Sequence, residues 1–173
     1  MEDKPFEAIG CLVATVSDTR TVETDTSGQF IRETLIKMGH QIIDHRIVAD
    51  DKDLIQGLLR YAINETDISV VILTGGTGIT CRDITPDAIA ELATKPIPGF
   101  GELFRWLSYR DIGPSTIQSR AGAWLCEDTI VFALPGSTSA VQLAMNEILV
   151  NQLDVRTRPC NFIQLLPRIR NDN

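Results

Sequence analysis

One uninterrupted passage constrains this chain more than any other: an apolar segment, a glycine-rich loop and a helix start, run together between Ile68 and Ala88. The segment Ile68-Ser69-Val70-Val71-Ile72-Leu73 is short, β-branched and almost wholly apolar. It reads as a strand buried on both faces, the habit of parallel sheets. Thr85-Pro86-Asp87-Ala88 reads as a helix start, with Thr85 as N-cap and Pro86 in the first helical position. Between the two lie Thr74-Gly75-Gly76-Thr77-Gly78 and, further along the loop, Cys81-Arg82-Asp83. Glycine permits positive φ and close approach of the backbone to a ligand. Free N–H groups and hydroxyls at the carboxyl end of a strand suit a phosphate. Arg82 adds a fork for an anion, or a partner for a neighbouring carboxylate, and Asp83 adds a carboxylate for a metal or a proton. Cys81 reads as a small filler of the loop. The competing reading is a tight strand-to-helix turn with no ligand; the Arg-Asp pair and the Thr-Pro helix start weigh against it. The loop lacks the P-loop lysine, and its spacing is not G-x-G-x-x-G.

Strand and helix patterns alternate around this passage. Ile9 to Val16 reads as a first buried strand, ending in Ser17-Asp18 and a polar loop. Asp25-Thr26-Ser27-Gly28 opens a helix with Ser27 or Thr26 as its cap; Ile31, Leu35 and Met38 recur at helical spacing, and Gly39 ends it. Ile42 to Val48 reads as a second strand, polar enough to lie toward a sheet edge. After Ala49-Asp50-Asp51 comes a helix with Leu54, Leu58 and Tyr61 on one face. The alternation predicts an α/β fold: three layers, α/β/α, around a mostly parallel central sheet with right-handed crossovers.

Downstream, Pro96-Ile97-Pro98-Gly99 breaks the chain. Phe100, Leu103, Phe104 and Leu107 then share a helical face with Trp106 nearby, as core packing or as a subunit contact. Ser119 to Leu125 and Thr129 to Leu134 read as two strands. Pro135-Gly136-Ser137-Thr138 is a second glycine turn, entering a helix whose stripe is Val141, Ala144, Met145 and Ile148. The expectation is one domain spanning 1–173, with 1–8 and 163–173 as peripheral tails.

Every strand that ends on the glycine-loop side delivers polar residues to one rim: Ser17 and Asp18, Asp50 and Asp51, Gly136 and Ser137, with the helix start Ser27-Gly28 beside them. An Asp at a helix start caps N–H groups, and one at a strand end shares a divalent cation with Asp83; the adjacent pair leaves room for one role each. A helix start facing the crevice serves as cap or anion receptor.

A net charge of −7 argues against duplex nucleic acid or an anionic membrane surface as partner, though a locally positive site still admits a small anion. No apolar run approaches the roughly 20 residues of a membrane span. The first residues carry no signal-peptide core. Cys11, Cys81, Cys126 and Cys160 are scattered without a C-x-x-C, which suggests reduced thiols in a cytoplasm; His40 and His45 have no metal-ligand spacing with them.

At Thr74-Gly75-Gly76-Thr77-Gly78 with Arg82-Asp83-Ile84-Thr85-Pro86-Asp87-Ala88, the chain resembles the MoaB/Mog family of molybdenum-cofactor biosynthesis proteins. Val16-Ser17-Asp18, Asp25-Thr26-Ser27-Gly28, Pro98-Gly99-Phe100-Gly101-Glu102, Ser119-Arg120 and Leu134-Pro135-Gly136-Ser137 match further. The likeness runs from about Ile9 to Phe162, and Thr157-Arg158-Pro159-Cys160-Asn161-Phe162 is similar to the MoaB branch. The resemblance implies a molybdopterin-binding fold, assembly as trimers or hexamers, and contact with other proteins of the same pathway. It also implies that ATP with Mg²⁺ adenylates molybdopterin, leaving pyrophosphate, with a non-catalytic binding protein as the alternative. On the same resemblance Asp83 and Asp50 are the catalytic, metal-associated acids. Gly75, Gly76, Thr77 and Gly78 are the phosphate cradle, and Ser27 and Gly28 its partner across the crevice. The chain departs from many catalytic relatives at Ala49, where they carry Pro, and keeps the acidic pair that some MoaB-branch proteins have lost.

Overall fold

Period-two burial along three strands builds the centre of the molecule. In a computed structural model describing residues 4–171, β1 (Gly10–Val16), β3 (Val70–Thr74) and β6 (Thr129–Leu134) are buried on both faces. Successive side chains point to opposite sides. Cys11, Val13, Val70, Ile72, Ile130, Phe132 and Leu134 enter one core, while Leu12, Ala14, Val71, Leu73, Val131 and Ala133 enter the other. The sheet therefore has two buried faces, and helices must cover both.

The six strands run in the order β2-β1-β3-β6-β5-β4. β2 (Gln41–Val48), β1, β3 and β6 are parallel; β5 (Gly122–Cys126) and the two-residue β4 (Lys95–Pro96) are antiparallel to their neighbours. This is the expected three-layer, mostly parallel architecture. β2, the most polar strand, lies at the sheet edge. The chain leaves β1 to one side for β2 and returns to the other side for β3. The gap between the carboxyl ends of β1 and β3 is thus a topological switch point, where such sheets bind ligands.

α1 (Thr26–Met38), α4 (Pro98–Ile112) and the C-terminal α7 (Phe162–Asn171) pack on one face; α2 (Lys52–Asn64) and α3 (Thr85–Ala90) pack on the other. α5 (Thr138–Leu143) continues through a π-helical turn at Ala144–Leu149 into α6 (Val150–Gln152), burying Val141, Ala144, Met145 and Ile148. A 3-10 helix, Gly113–Gln118, follows α4, so β5 begins at Gly122 rather than at Ser119.

Further expectations need correction. Residues 163–171 are not a peripheral tail: Ile163 and Leu166 of α7 are buried, and the Phe162 ring meets Phe132 edge-on at 5.6 Å. Full burial of such side chains is worth about 1.5–3 kcal/mol each, which holds the helix on the sheet despite the Pro167 inside it. Residues 1–3 and 172–173 of the two expected tails lie outside the described residues. Second, the apolar face of α4 is divided. Phe100, Phe104 and Leu107 enter the core, whereas Leu103 and Trp106 stand exposed with Tyr109 and Ile112. Third, Cys81 is exposed and fills nothing; the buried thiols are Cys11, pushed up to about 12 by burial, and Cys126, pushed up to about 11 by burial and then by Glu127.

Candidate functional site

The crevice at the switch point holds about 400 Å³ and is built from strand ends and the helix starts that follow them. A larger hollow of about 600 Å³ lies at the opposite end of the sheet, by Gly10, Gln41 and Ser69, away from the glycine loop. Chemistry rather than size selects the smaller one.

The glycine loop forms its floor. Gly75 and Gly76 have φ of +108° and +64°, which L side chains rarely adopt. A β-carbon on Gly75 would lie 2.2 Å from the Val16 carbonyl oxygen, and one on Gly76 would lie 2.5 Å from Thr85 Oγ1. The loop is pinned on all sides. Gly75 N–H donates to the Leu134 carbonyl at 3.0 Å, and Thr74 Oγ1 donates to the Pro135 carbonyl at 2.8 Å. Thr85 is not the helix cap expected of it: Ile84 takes that position without a side-chain bond, and Thr85 Oγ1 donates to the Gly75 carbonyl at 2.9 Å. Arg120 secures the far limb, donating through Nε to the Gly78 carbonyl at 2.7 Å, with further bonds to the Asp83 carbonyl and, at 2.9 Å, to Asp87. Among the described residues, no hydrogen bond within the chain uses the N–H groups of Gly76 or Thr77.

The opposite wall is the start of α1. Its cap is Asp25, rather than Ser27 or Thr26, with Oδ1 accepting from Gly28 N–H at 2.9 Å. Asp25 Oδ2 accepts from Thr15 Oγ1 at 2.7 Å and lies 3.5 Å from His45 Nε2. Gly28 is required here because a β-carbon would sit 2.2 Å from Asp25 Oδ2. Ser27 is thereby free to donate to the Gly136 carbonyl at 3.0 Å, joining α1 to the second glycine turn.

The acidic pair takes one role per residue. Asp51 caps α2, accepting from Leu54 N–H at 3.0 Å, while Asp50 lines the crevice. Burial, and then the charge of Asp83, push the Asp50 carboxyl up from its ordinary value. Asp83 behaves oppositely. Burial works to raise it, but the Thr80 hydroxyl, the Thr80 and Gly78 backbone and the Arg120 charge outweigh burial and hold it below the usual carboxylate range. Its Oδ2 accepts from Thr80 N–H at 2.8 Å and from Thr80 Oγ1 at 2.7 Å. The segment from Gly76 to Gly78 runs between the two acids: a β-carbon on Gly76 would lie 3.4 Å from Asp50 Oδ1, and one on Gly78 would lie 2.7 Å from Asp83 Oδ2.

Of the residues named from sequence, Ser17, Ser27, Asp50, Gly75, Gly76, Gly136 and Ser137 line the crevice. Asp18 and Gly28 support it from behind, and Thr77, Gly78 and Asp83 belong to the far limb of the loop. Asp18 accepts from Asp50 N–H and is ion-paired with Arg82. Sequence reasoning missed Thr15, Arg20 and Asp25 as lining residues. Thr15 carried a signal, a hydroxyl near the end of an apolar strand, as Thr74 does.

Two carboxylates beside a glycine loop suit Mg²⁺, which takes one or two carboxylates and completes its shell with phosphate oxygens and water. Burial first, and the charge of Asp83 second, raise the Asp50 carboxyl, and a cation held between the two acids would relieve the second of these. No cluster of three or more His, Cys, Asp or Glu among the described residues offers a cage of protein ligands alone. Among those residues, too, no helix is long and apolar enough to cross a membrane.

Residues 12–155 match the family described as "Probable molybdopterin binding domain". The chain is 45% identical over 150 residues to Molybdenum cofactor biosynthesis protein B of Escherichia coli (strain K12), covering 87% of this chain and 88% of that one. It superposes on a crystal structure of Molybdenum cofactor biosynthesis protein B with a TM-score of 0.83 and 40% identity, covering 98% of both chains. It superposes on the tungsten cofactor synthesizing protein MoaB from Pyrococcus furiosus with a TM-score of 0.76 and 34% identity, covering 95% of this chain and 98% of that one.

Proposed function

Because this chain belongs to the family of molybdenum cofactor biosynthesis protein B, we propose that its crevice binds molybdopterin and adenylates it with ATP and Mg²⁺. The observation that carries this reading is the glycine loop laid between Asp50 and Asp83, two carboxylates with one of them pushed up by burial and then by the charge of the other. In the reaction, an oxygen of the molybdopterin phosphate attacks the α-phosphorus of ATP. A new P–O–P link forms, the α–β link of ATP breaks, and pyrophosphate departs with that electron pair.

Such transfers require positioning and charge neutralisation rather than covalent work by the protein. The Gly76 and Thr77 N–H groups receive phosphate oxygens, and Ser27 with the start of α1 closes the facing wall. Asp50 and Asp83 hold Mg²⁺, which when bound offsets charge on the phosphates. Thr15 and Asp25 fix the α1 start relative to β1, so the two anion-receiving surfaces keep their separation. The exposed Leu103, Trp106, Tyr109 and Ile112 of α4 suit self-association, as a trimer or hexamer.

Incubation with molybdopterin, ATP and Mg²⁺ tests the reading: pyrophosphate release should require all three, and adenylyl-molybdopterin should accumulate with it. A second reading, a non-catalytic molybdopterin binder, draws on the Thr80 bonds that give Asp83 a loop-bracing role. Tight molybdopterin binding with no pyrophosphate above blank selects that second reading.

A further inference from the structure

We propose that Arg20 is the anion anchor of the crevice, receiving the phosphate of the bound pterin and setting which way that ligand lies. The inference rests on the reading of the ligand as molybdopterin. Arg20, Arg82 and Arg120 are the guanidinium groups that the rim loops carry among the described residues, and the last two are already neutralised. Arg82 is ion-paired with Asp18, and Arg120 holds Asp87 and two loop carbonyls. Arg20 is paired with no carboxylate among the described residues. Its Nη1 donates to the Thr24 carbonyl at 2.9 Å, and its backbone N–H donates to Ser17 Oγ at 3.2 Å.

Among the described residues, Arg20 is also the one cationic residue lining the crevice, where Asp25 and Asp50 are the acidic ones. A guanidinium carries five N–H donors in a planar fork that matches phosphate, and the bond to Thr24 engages one nitrogen. The segment carrying it is folded back on itself. Thr21 N–H donates to Thr24 Oγ1 at 2.8 Å, and Thr24 N–H donates to the Thr21 carbonyl at 3.1 Å. Arg20 is therefore presented on a short, bonded turn next to Asp25, which reduces the ordering cost on binding. In an otherwise acidic crevice, this charge makes the phosphate end of the ligand, rather than its ring, the end that docks here.

Equilibrium dialysis against molybdopterin, without ATP or Mg²⁺, tests this on the wild type, Arg20→Ala and Arg20→Lys. A parallel series uses the same pterin with its phosphate removed. Arg20→Ala should weaken molybdopterin binding about 10- to 100-fold, as expected for a hydrogen bond between charged groups, and Arg20→Lys should recover part of the loss. The dephosphorylated pterin should bind wild type and Arg20→Ala alike. Arg20 is exposed, so thermal unfolding of the variants should match the wild type. Unchanged molybdopterin affinity in Arg20→Ala, with the wild type binding, overturns the anchor and leaves the proposed function standing. An equal loss for the dephosphorylated pterin also overturns it, since the contact would then be to the ring. A wild type that binds no molybdopterin overturns the proposed function and the anchor together.

Discussion

The backbone N–H of Asp50 donates to the Asp18 carboxylate at 3.0 Å, so the loop after β2 is tied to the loop after β1. Arg82 of the glycine loop pairs with the same carboxylate. One side chain thus registers three loops. Asp18→Ala should release both partners and let Asp50 drift. Small misplacements near reacting groups cost up to about 10²-fold, so turnover should fall by about 10- to 100-fold. Molybdopterin binding should hold or tighten, because Arg82 is freed toward the anion. Parallel dialysis and pyrophosphate assays check both halves, and unaltered turnover would show that the tie does not position Asp50.

Asp83 should be needed for turnover and not for pterin binding. Its loss should cost about 10²–10³ in rate, the scale of one transition-state electrostatic contact. Asp83→Asn is the sharper variant, since it keeps an oxygen to accept from Thr80 while removing the charge. Paired with Asp50→Asn it should show non-additive losses, as residues acting on one ion do. Near-normal turnover in Asp83→Asn would return Asp83 to a loop-bracing role.

The acidic pair also predicts a pH signature. Asp50 is raised in the fold, so the unfolded chain loses this proton first as pH rises. Folding stability therefore falls from about the ordinary value of 3.8 upward, and the penalty is complete above the folded pKa. Asp50→Asn should unfold at a higher temperature than wild type at pH 7 in metal-free buffer, and the difference should vanish below 3.8. Asp83, held low, has the opposite sign: its contribution is present above 3.8 and is lost as pH falls through its folded pKa. Melting curves of Asp50→Asn and Asp83→Asn across pH 3 to 7 should diverge in opposite directions from wild type.

The two strained glycines should respond differently. Alanine at Gly75 drives a methyl into the Val16 backbone, which cannot yield without moving β1. At Gly76 the obstacle is the Thr85 hydroxyl. Non-glycine residues forced into such conformations cost about 1–3 kcal/mol, and the Gly75 change should lie at or above the top of that range. Gly76→Val should leave a folded protein with reduced molybdopterin affinity. Thr85→Val, which strands the Gly75 carbonyl, should cost about 1–3 kcal/mol without any change of shape. Denaturant titration orders the three.

Self-association should depend on the exposed half of α4. Light scattering at micromolar concentration should give a multiple of the 19.1 kDa chain mass, and Trp106→Glu should shift it toward one chain. Wild type at the mass of one chain would remove that role from the patch.

The glycine loop, the buried strands and the division of labour between Asp50 and Asp51 were legible because each is a local pattern: an apolar run, a breaker, a cap. What escaped depends on contacts between distant segments. Asp25 was passed over as cap because three candidates stand in a row, and only the Thr15 hydroxyl and the close approach at Gly28 select it. Thr85 looked like a cap because its partner, the Gly75 carbonyl, is brought back by the loop. The last helix was hidden by Pro159 and Pro167, and its reason for forming, the Phe132 ring, lies in another element. Arg20 sat in a polar stretch that periodicity does not describe.

The bonds that close the crevice join segments far apart along the chain: Thr74 to Pro135 across 61 residues and Ser27 to Gly136 across 109. Long loops are entropically costly to close, so such contacts form only when the intervening chain has found its place. During synthesis the glycine loop emerges well before the turn that completes its pocket. A nascent chain therefore carries the recognisable motif without a receptor, and the proposed ligand has nothing to occupy until β6 docks. Ligand capture is in this sense a checkpoint on completed topology.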